Sequence, residues 1–172
     1  TLFATGVTAM VGRPRPGPSH RREAMYRRGM SDDNYEPSPN EFIAGHVEQY
    51  LSTNGEQGFE MQGAGVIVLT TTGRRTGKVR RTPLIRVPHE EGYLVVASLG
   101  GAPEHPVWYL NLLAEPDITI QDRAEVHKLR ARTATPGEKA TLWPLAVEQW
   151  PDYANYQAST DRDIPVVICE PR

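Results

Sequence analysis

The spacing of apolar residues changes from a helical to a strand-like pattern near residue 60. Before that point, four apolar residues recur on one face of a helix, namely Ile43, Val47, Tyr50 and Leu51. Pro39 and Asn40 are typical of a helix start, and Gly55 is typical of a helix end. The pattern therefore predicts a helix that begins at Asn40 and precedes a β-rich region.

Six apolar, β-branched runs separated by turn residues predict six strands, at residues 66–72, 79–87, 93–98, 118–121, 125–134 and 164–169. Three helices are predicted between them, at residues 106–114, 136–150 and 152–158. Because most of these strands follow one another through tight turns, they favour an antiparallel sheet over a strand–helix–strand alternation. We predict a mainly β chain whose sheet closes on itself, with peripheral helices.

Positive charge is distributed unevenly along the chain. The first 29 residues contain six arginines and one glutamate, which leaves 13 basic and 20 acidic residues in the remainder. We expect residues 1–38 to be a flexible basic arm, in part foreign to the natural protein, and residues 39–172 to form one domain. Within that acidic domain, six cations fall in one 13-residue stretch, namely Arg74, Arg75, Lys78, Arg80, Arg81 and Arg86.

The basic stretch surrounds a turn with glycines at positions 73 and 77. Glycines allow positive φ angles and let a ligand approach backbone N–H groups closely. Three hydroxyls flank the charged side chains of the turn, namely those of Thr70, Thr72 and Thr76. Cations and hydroxyls together bind phosphate or carboxylate, so we interpret the turn as an anion site. Charge alone leaves FMN, a nucleotide and other anions open.

Neither a nucleotide-binding P-loop nor a nucleic-acid surface fits this turn well. A Walker A loop has a wider glycine spacing and leads into a helix, whereas this turn leads into a strand, and Val79 replaces the metal-binding hydroxyl. Nucleic-acid binding is disfavoured by the acidity of the domain and by the lack of aromatic residues among the cations. A solvated basic hairpin without a ligand is the structural alternative.

Two further segments carry candidate chemistry. Gly100 and Gly101 follow an apolar strand, where they allow the close approach of a flat ring, and a short helix with Trp108 and Asn111 comes next. An aromatic stripe occupies successive helical turns near the end of the chain, at Trp150, Tyr153 and Tyr156. Such a stripe is either core or the wall of an apolar pocket with phenol donors.

Several other functions are not indicated. His46, His89, His105 and His127 have no partner at metal-ligand spacing, so we predict no metal site. No motif for a catalytic nucleophile is present either. Cys169 lies in an apolar run and is predicted to be buried. No apolar run is long enough to cross a membrane, and we expect a cytoplasmic protein. The sequence does not indicate an oligomeric state.

Four segments, in this order along the chain, resemble the deazaflavin-dependent nitroreductase family, the actinobacterial F-420-dependent reductases. They are LTTTGRRTG at 69–77, ASLGGA at 97–102, PVWYLNL at 106–112 and IPVVICEP at 164–171. The resemblance implies a six-stranded antiparallel split β-barrel of the FMN-binding type. It also implies that the basic turn holds the phosphate and oligoglutamate tail of coenzyme F-420, an 8-hydroxy-5-deazaflavin.

The resemblance further implies which residues line the site. Those at the coenzyme are Val68, Leu69, Thr70, Arg74, Arg75, Thr76, Gly77, Lys78, Val79, Val96, Ala97, Ser98, Leu99, Val107, Trp108, Tyr109 and Asn111. Those expected near the reacting groups are Ser98, Tyr153 and Tyr156.

By this resemblance the protein is an oxidoreductase that transfers hydride from F-420H2 to a quinone, an enone or a nitroaromatic, with a quinone favoured. Trp150 and Leu99 stand where nitroimidazole-activating members carry a tyrosine and a lysine, which disfavours that activity. An FMN-dependent oxidase or reductase on the same barrel is one alternative. A non-catalytic cofactor carrier or ligand sensor is another. A quinone acceptor would bring the protein to a membrane surface.

Overall fold

The computed structural model describes residues 34–172. Eight strands are present in this part of the chain: β1 (Glu60–Met61), β2 (Ala64–Thr72), β3 (Val79–Ile85), β4 (Val87–His89), β5 (Gly92–Val96), β6 (Asp117–Asp122), β7 (Glu125–Thr133) and β8 (Val166–Pro171). Four α-helices accompany them: α1 (Glu41–Ser52), α2 (Val107–Ala114), α3 (Pro136–Gln149) and α4 (Asp152–Ala158). Most of the predicted arm, residues 1–33, lies outside the described residues. Between residues 34 and 172, no helix is long and apolar enough to cross a bilayer.

The strands form one antiparallel sheet that curls round on itself. The strand order is β1-β2-β6-β7-β8-β5-β4, and β3 pairs with β2. Strand β4 ends this order, whereas β3 lies beside β2 near the other end. Because only Arg86 separates β3 from β4 in the sequence, the two ends of the sheet meet. The predicted fold class, a mainly β antiparallel split barrel with peripheral helices, is confirmed.

The structure has eight strands instead of the predicted six, because the two-residue β1 was not predicted and the second predicted strand is divided in two. The third predicted strand also ends earlier, at Val96. Two of the differences have clear local reasons. The second predicted strand is divided at Arg86, whose N–H donates to the carbonyl of Gly65 (2.8 Å) and whose Nε lies 2.7 Å from Asp122 Oδ2. The last strand begins two residues later than predicted. Pro165 has no N–H for the sheet, and the Ile164 N–H donates to the Gln157 side chain instead (2.9 Å).

The helices form where their local signals lie. The Asn40 side chain accepts hydrogen bonds from the backbone N–H groups of Phe42 and Ile43, which begins α1. Thr135 and Glu138 form a reciprocal capping box at the start of α3. All four predicted helices are therefore confirmed.

The curl of the sheet separates an inner core from an outer layer. Ile67 and Leu69 of β2 point into the inner cluster, whereas the alternate residues Val66 and Val68 pack with Tyr50 of α1. A further apolar cluster combines residues of α3 and α4 with residues of β4, β5 and β8.

Cys169 belongs to the inner cluster, as predicted. Burial raises the pKa of its thiol to about 12, which keeps the sulfur in the unreactive thiol form.

Residues 34–36, which we expected to belong to the flexible arm, lie along the basic turn. Tyr35 forms a parallel bridge with Val79, and the Glu36 N–H donates to the Val79 carbonyl (3.0 Å). The Asn34 side-chain amide donates to the carbonyl of Gly77 (3.0 Å). The domain therefore begins earlier in the chain than the composition indicated.

Candidate active site

The turn between β2 and β3 is closed by its own backbone. The Gly73 N–H donates to the Lys78 carbonyl (2.7 Å), and the Gly77 N–H donates to the Gly73 carbonyl (2.8 Å). Gly77 has a φ of 69°, which favours glycine. A Cβ at Gly73 would lie 2.8 Å from the Thr76 hydroxyl and 3.2 Å from the Lys78 carbonyl oxygen, so glycine avoids crowding at this position. The two glycines thus define the turn that carries Arg74 and Arg75.

Part of the basic stretch is engaged by residues 34–36. Arg80 Nη1 lies 2.9 Å from Glu36 Oε2, and Lys78 Nζ lies 3.9 Å from the other carboxylate oxygen of Glu36. The Arg81 guanidinium lies 4.4 Å from the ring centroid of Tyr35, within the range of a cation–π contact. These cations have structural partners, which the sequence analysis did not assign to them.

The remaining cations of the stretch differ sharply in their surroundings. Arg86 is paired with the largely buried Asp122. Arg74 and Arg75, in contrast, are exposed, and neither has a carboxylate partner within residues 34–172. Because two adjacent cations without counter-charges attract anions strongly, they form the part of the turn best suited to an acidic ligand.

Asn111 ties the turn to helix α2. Its side-chain oxygen accepts a hydrogen bond from the Arg74 N–H (3.1 Å), and its amide nitrogen lies 3.5 Å from the Thr71 hydroxyl. The side chain is only 3% exposed. Asn111 therefore positions the turn from within the protein, a role that the helical spacing of the sequence did not indicate.

The aromatic residues of α2 face the core of the barrel. Trp108 is 8% exposed and lies in the inner cluster, and the Tyr109 hydroxyl lies 2.9 Å from the Thr133 hydroxyl. Ala97 belongs to the same cluster. Helix α2 thus connects the basic turn on one side with the end of β5 on the other.

A tight loop follows β5 and carries Ser98. Its next three residues all have positive φ angles, of 44° at Leu99, 64° at Gly100 and 83° at Gly101. Such a conformation is costly for leucine and is found mainly where a site requires it. Ser98 is 8% exposed and its side chain makes no capping hydrogen bond to the turn that follows, whereas Leu99 is 52% exposed. The loop therefore carries one hydroxyl that is not used in capping and one exposed apolar side chain.

Helix α4 packs directly on this loop. A Cβ at Gly101 would lie 2.8 Å from the Tyr156 carbonyl oxygen and 2.3 Å from the Ser159 hydroxyl, so only glycine permits the contact. Tyr156 is half-buried, and its hydroxyl oxygen lies 3.5 Å from the Trp150 indole N–H. Close packing brings Tyr156 near the segment that carries Ser98.

Tyr153 has a different environment from Tyr156. It is 5% exposed and its ring packs between Trp143 and Tyr156. Burial, and to a smaller extent the neighbouring Tyr156, raise the pKa of the Tyr153 phenol, so it stays protonated at physiological pH.

Arg162 is a residue of this region that the sequence analysis missed. It lies before β8 and reaches back to the Ser98 loop, where its guanidinium donates to the carbonyls of Ala97, Ser98 and Ala102 at 2.7 to 3.1 Å. Since these partners are about 60 residues away in the sequence, no local pattern marks the residue.

The predicted coenzyme residues divide by exposure. The exposed ones are Arg74, Arg75, Thr76, Gly77, Lys78, Leu99 and Val107, and Thr70 and Val79 are intermediate. The buried ones are Val68, Leu69, Val96, Ala97, Ser98, Trp108, Tyr109 and Asn111. The contacts described above connect the basic turn, α2, the Ser98 loop and α4 into one continuous region. Within residues 34–172, no cluster of three or more metal-ligating side chains is present.

Comparison with known proteins relates this region to a family of reductases. The sequence profile of the family described as F-420H2-dependent quinone reductase matches residues 43–171. An F-420H2-dependent quinone reductase of Mycobacterium tuberculosis is 39% identical over 127 residues, which cover 72% of this chain and 85% of that protein.

Two solved structures are similar in both sequence and fold. A structure described as an F-420-H2-dependent reductase (FDR-A) is 48% identical, with a TM-score of 0.57, over 61% of this chain and 93% of that chain. Another, described as a domain-swapped dimer, is 41% identical, with a TM-score of 0.60, over 77% of this chain and all of that chain. The profile match spans most of the chain and includes the basic turn, the Ser98 loop and helix α4, so the chain belongs to the F-420H2-dependent quinone reductase family.

Proposed function

We propose that the protein catalyses the reduction of a quinone by the reduced deazaflavin coenzyme F-420H2. The observation that carries this proposal is the pair of arginines, Arg74 and Arg75, that have no carboxylate partner within residues 34–172 and lie on the turn of a chain that belongs to this family. The Mycobacterium tuberculosis relative is described as an F-420H2-dependent quinone reductase, which supports the choice of acceptor.

The residues of the turn fit the acidic part of the coenzyme. Arg74 and Arg75 offer forked donors for its phosphate and for the carboxylates of its oligoglutamate tail. Around Gly77 a Cβ would meet no atom within 4 Å, so acidic groups have room to approach the backbone there. Lys78 adds a third positive charge, which the nearby carboxylate of Glu36 partly neutralises.

The ring of the coenzyme would lie near the Ser98 loop. Gly100 leaves open space on this loop, since a Cβ there would meet nothing within 4 Å. When bound in its reduced form, the coenzyme supplies a hydride equivalent. The protein holds the acceptor beside it, excludes water with Leu99 and Val107, and offers the Ser98 hydroxyl as a hydrogen-bond donor to the acceptor oxygen.

The reaction also needs a proton, because a quinone that receives a hydride becomes a hydroquinone only after protonation. The Tyr156 hydroxyl oxygen accepts from Trp150, which leaves its own hydrogen free to point elsewhere. Tyr156 is therefore the proton donor that we propose, with Tyr153 as a buried, protonated neighbour that walls the acceptor site.

Binding and turnover test this function directly. F-420 and FMN would be titrated against the wild type, Arg74→Ala, Lys78→Ala and the control Arg130→Ala, whose arginine pairs with Asp117 on the surface. We expect F-420 to bind and to lose roughly tenfold in affinity in Arg74→Ala, with a smaller loss in Lys78→Ala and none in the control. The reduced coenzyme should then be oxidised when menadione is added.

Two contrasting outcomes would favour different functions. Preferential binding of FMN, with an oxidised-flavin spectrum, would favour an FMN-dependent reductase. Tight F-420 binding without turnover on any quinone, enone or nitroaromatic would favour a carrier or sensor.

A further inference from the structure

We propose that Arg162 is a positioning residue that sets the conformation of the Ser98 loop for hydride transfer, an inference that rests on the proposed function. The guanidinium uses all three of its nitrogens on this loop. Nε donates to the Ala102 carbonyl (2.7 Å), Nη2 donates to the Ser98 carbonyl (2.7 Å), and both Nη atoms lie 3.1 Å from the Ala97 carbonyl.

The loop needs a side chain with several hydrogen-bond donors because its backbone conformation is unusual. Leu99, Gly100 and Gly101 have left-handed φ angles in succession, which makes a tight turn between β5 and the residues before α2. The carbonyls of Ala97, Ser98 and Ala102 lie close enough together for one group with several donors to bond all three, and the Ser98 carbonyl also accepts from the Gly101 N–H (2.9 Å). Arg162 supplies that group.

The bonding pattern distinguishes Arg162 from an ordinary surface ion pair. None of the described carboxylates lies within salt-bridge distance of its guanidinium, although Asp161 and Asp163 are its sequence neighbours. Its partners are backbone carbonyls and the Nδ1 atom of His105, 3.1 Å from Nη1. His105 precedes α2, so the arginine joins the loop to the start of that helix.

The backbone of Arg162 is itself anchored to α4. Its carbonyl accepts from the Gln157 side-chain amide (2.9 Å), and the Gln157 side-chain oxygen accepts from the Ile164 N–H (2.9 Å). Gln157 follows Tyr156 in the helix that packs on the loop. Arg162 therefore fixes the distance between the segment that carries Ser98 and the segment that carries Tyr156.

A lysine at position 162 cannot form this set of hydrogen bonds. Its single ammonium group has three donors on one atom, whereas the planar guanidinium places five N–H groups around three nitrogens in a fixed fork. Arg162→Lys thus keeps the charge but loses the geometry. The conservative control is Arg130→Lys, at an exposed arginine that pairs with Asp117.

The experiment compares both variants with the wild type, well below their melting temperatures. Menadione turnover, F-420 affinity and amide hydrogen exchange of peptides that cover residues 97–105 and 64–72 would be measured. For Arg162→Lys we expect kcat to fall about tenfold or more, F-420 affinity to change by less than about threefold, and exchange to accelerate only in residues 97–105. Affinity is retained because the coenzyme tail is held at Arg74 and Arg75. Guanidinium ion added to Arg162→Ala should restore part of its kcat.

Each contrary outcome has a distinct meaning. A wild-type kcat in Arg162→Lys overturns the inference while leaving the proposed function in place. Accelerated exchange in residues 64–72 as well, with parallel losses of affinity and melting temperature, overturns it in favour of a general structural role. A wild type that does not oxidise F-420H2 overturns the proposed function, and the inference with it.

If Arg162→Lys does not fold, His105→Phe is measured instead. This variant removes the Nδ1 atom that contacts Arg162 and keeps an aromatic ring at the same position. Its kcat should fall about two- to fivefold, and an unchanged kcat there also overturns the inference.

Discussion

A carboxylate oxygen of Glu36 lies 2.9 Å from Arg80 Nη1, on the strand that leaves the basic turn, and the other oxygen lies 3.9 Å from Lys78 Nζ. The chain therefore supplies one anion of its own to the cations of this turn. Arg74 and Arg75 are left without such a partner within residues 34–172. Arg80 is therefore held by the chain itself, Lys78 is only partly neutralised by Glu36, and Arg74 and Arg75 are the cations most available to a ligand.

Removal of the Glu36 charge should strengthen anion binding at the turn. Glu36→Gln leaves Lys78 and Arg80 without their counter-charge, so F-420 affinity should rise by about threefold at low salt, and by less at physiological salt because exposed charges are screened. Titrations at two salt concentrations measure the effect. Glu56→Gln, at an exposed carboxylate away from the turn, serves as the control. Unchanged or weaker binding in Glu36→Gln would mean that the coenzyme does not contact Lys78.

Loss of the Asn111 side chain should destabilise the turn and weaken coenzyme binding together. Asn111→Ala removes the acceptor of the Arg74 N–H in a buried setting, which should cost about 1–3 kcal/mol of unfolding free energy. Urea denaturation and F-420 titration measure the two effects. Asn155→Ala, which breaks only an exposed bond to Asp152, should change neither by much. Normal affinity in Asn111→Ala would show that the turn does not depend on α2 for its position.

The two glycines of the Ser98 loop should respond differently to the same substitution. Gly101→Ala places a Cβ 2.3 Å from the Ser159 hydroxyl and 2.8 Å from the Tyr156 carbonyl, and should lower the unfolding free energy by about 2–4 kcal/mol. Gly100→Ala meets no atom within 4 Å and should cost only the roughly 1 kcal/mol of its left-handed φ. Thermal denaturation of both variants makes the comparison, and equal losses would contradict the packing of α4 on the loop.

Stability should depend on pH through Glu138 on the surface. Hydrogen bonds from Arg132 and from the Thr135 backbone lower the pKa of Glu138 from 4.5 to about 2. A lowered pKa in the folded state means that the carboxylate contributes stability above its ordinary pKa, and that this contribution is lost as the pH falls from 4.5 toward 2. Glu138→Gln, which retains the capping geometry, should unfold with a weaker pH dependence in that window. Denaturation curves across the window measure it, and parallel curves for the two proteins would contradict the assignment.

The sequence by itself determined the helices and strands and the concentration of positive charge in the basic turn. Helix α1 starts directly after its cap Asn40, and α3 directly after its cap Thr135, because each capping side chain satisfies N–H groups only two or three residues away. The strands follow from apolar runs, and the turn follows from its glycines. Such signals act over a few residues, so the order of residues along the chain is sufficient to predict them.

Only the tertiary structure decided which polar groups serve the fold and which are free for a ligand. The sequence presented six similar cations, but the bridge of Tyr35 to Val79 is what brings Glu36 to Arg80. The contact of Arg162 with Ser98 joins residues 64 positions apart. Hydrogen bonds at such separations leave no periodic trace in the chain, because they depend on how the sheet curls and which segments it brings together.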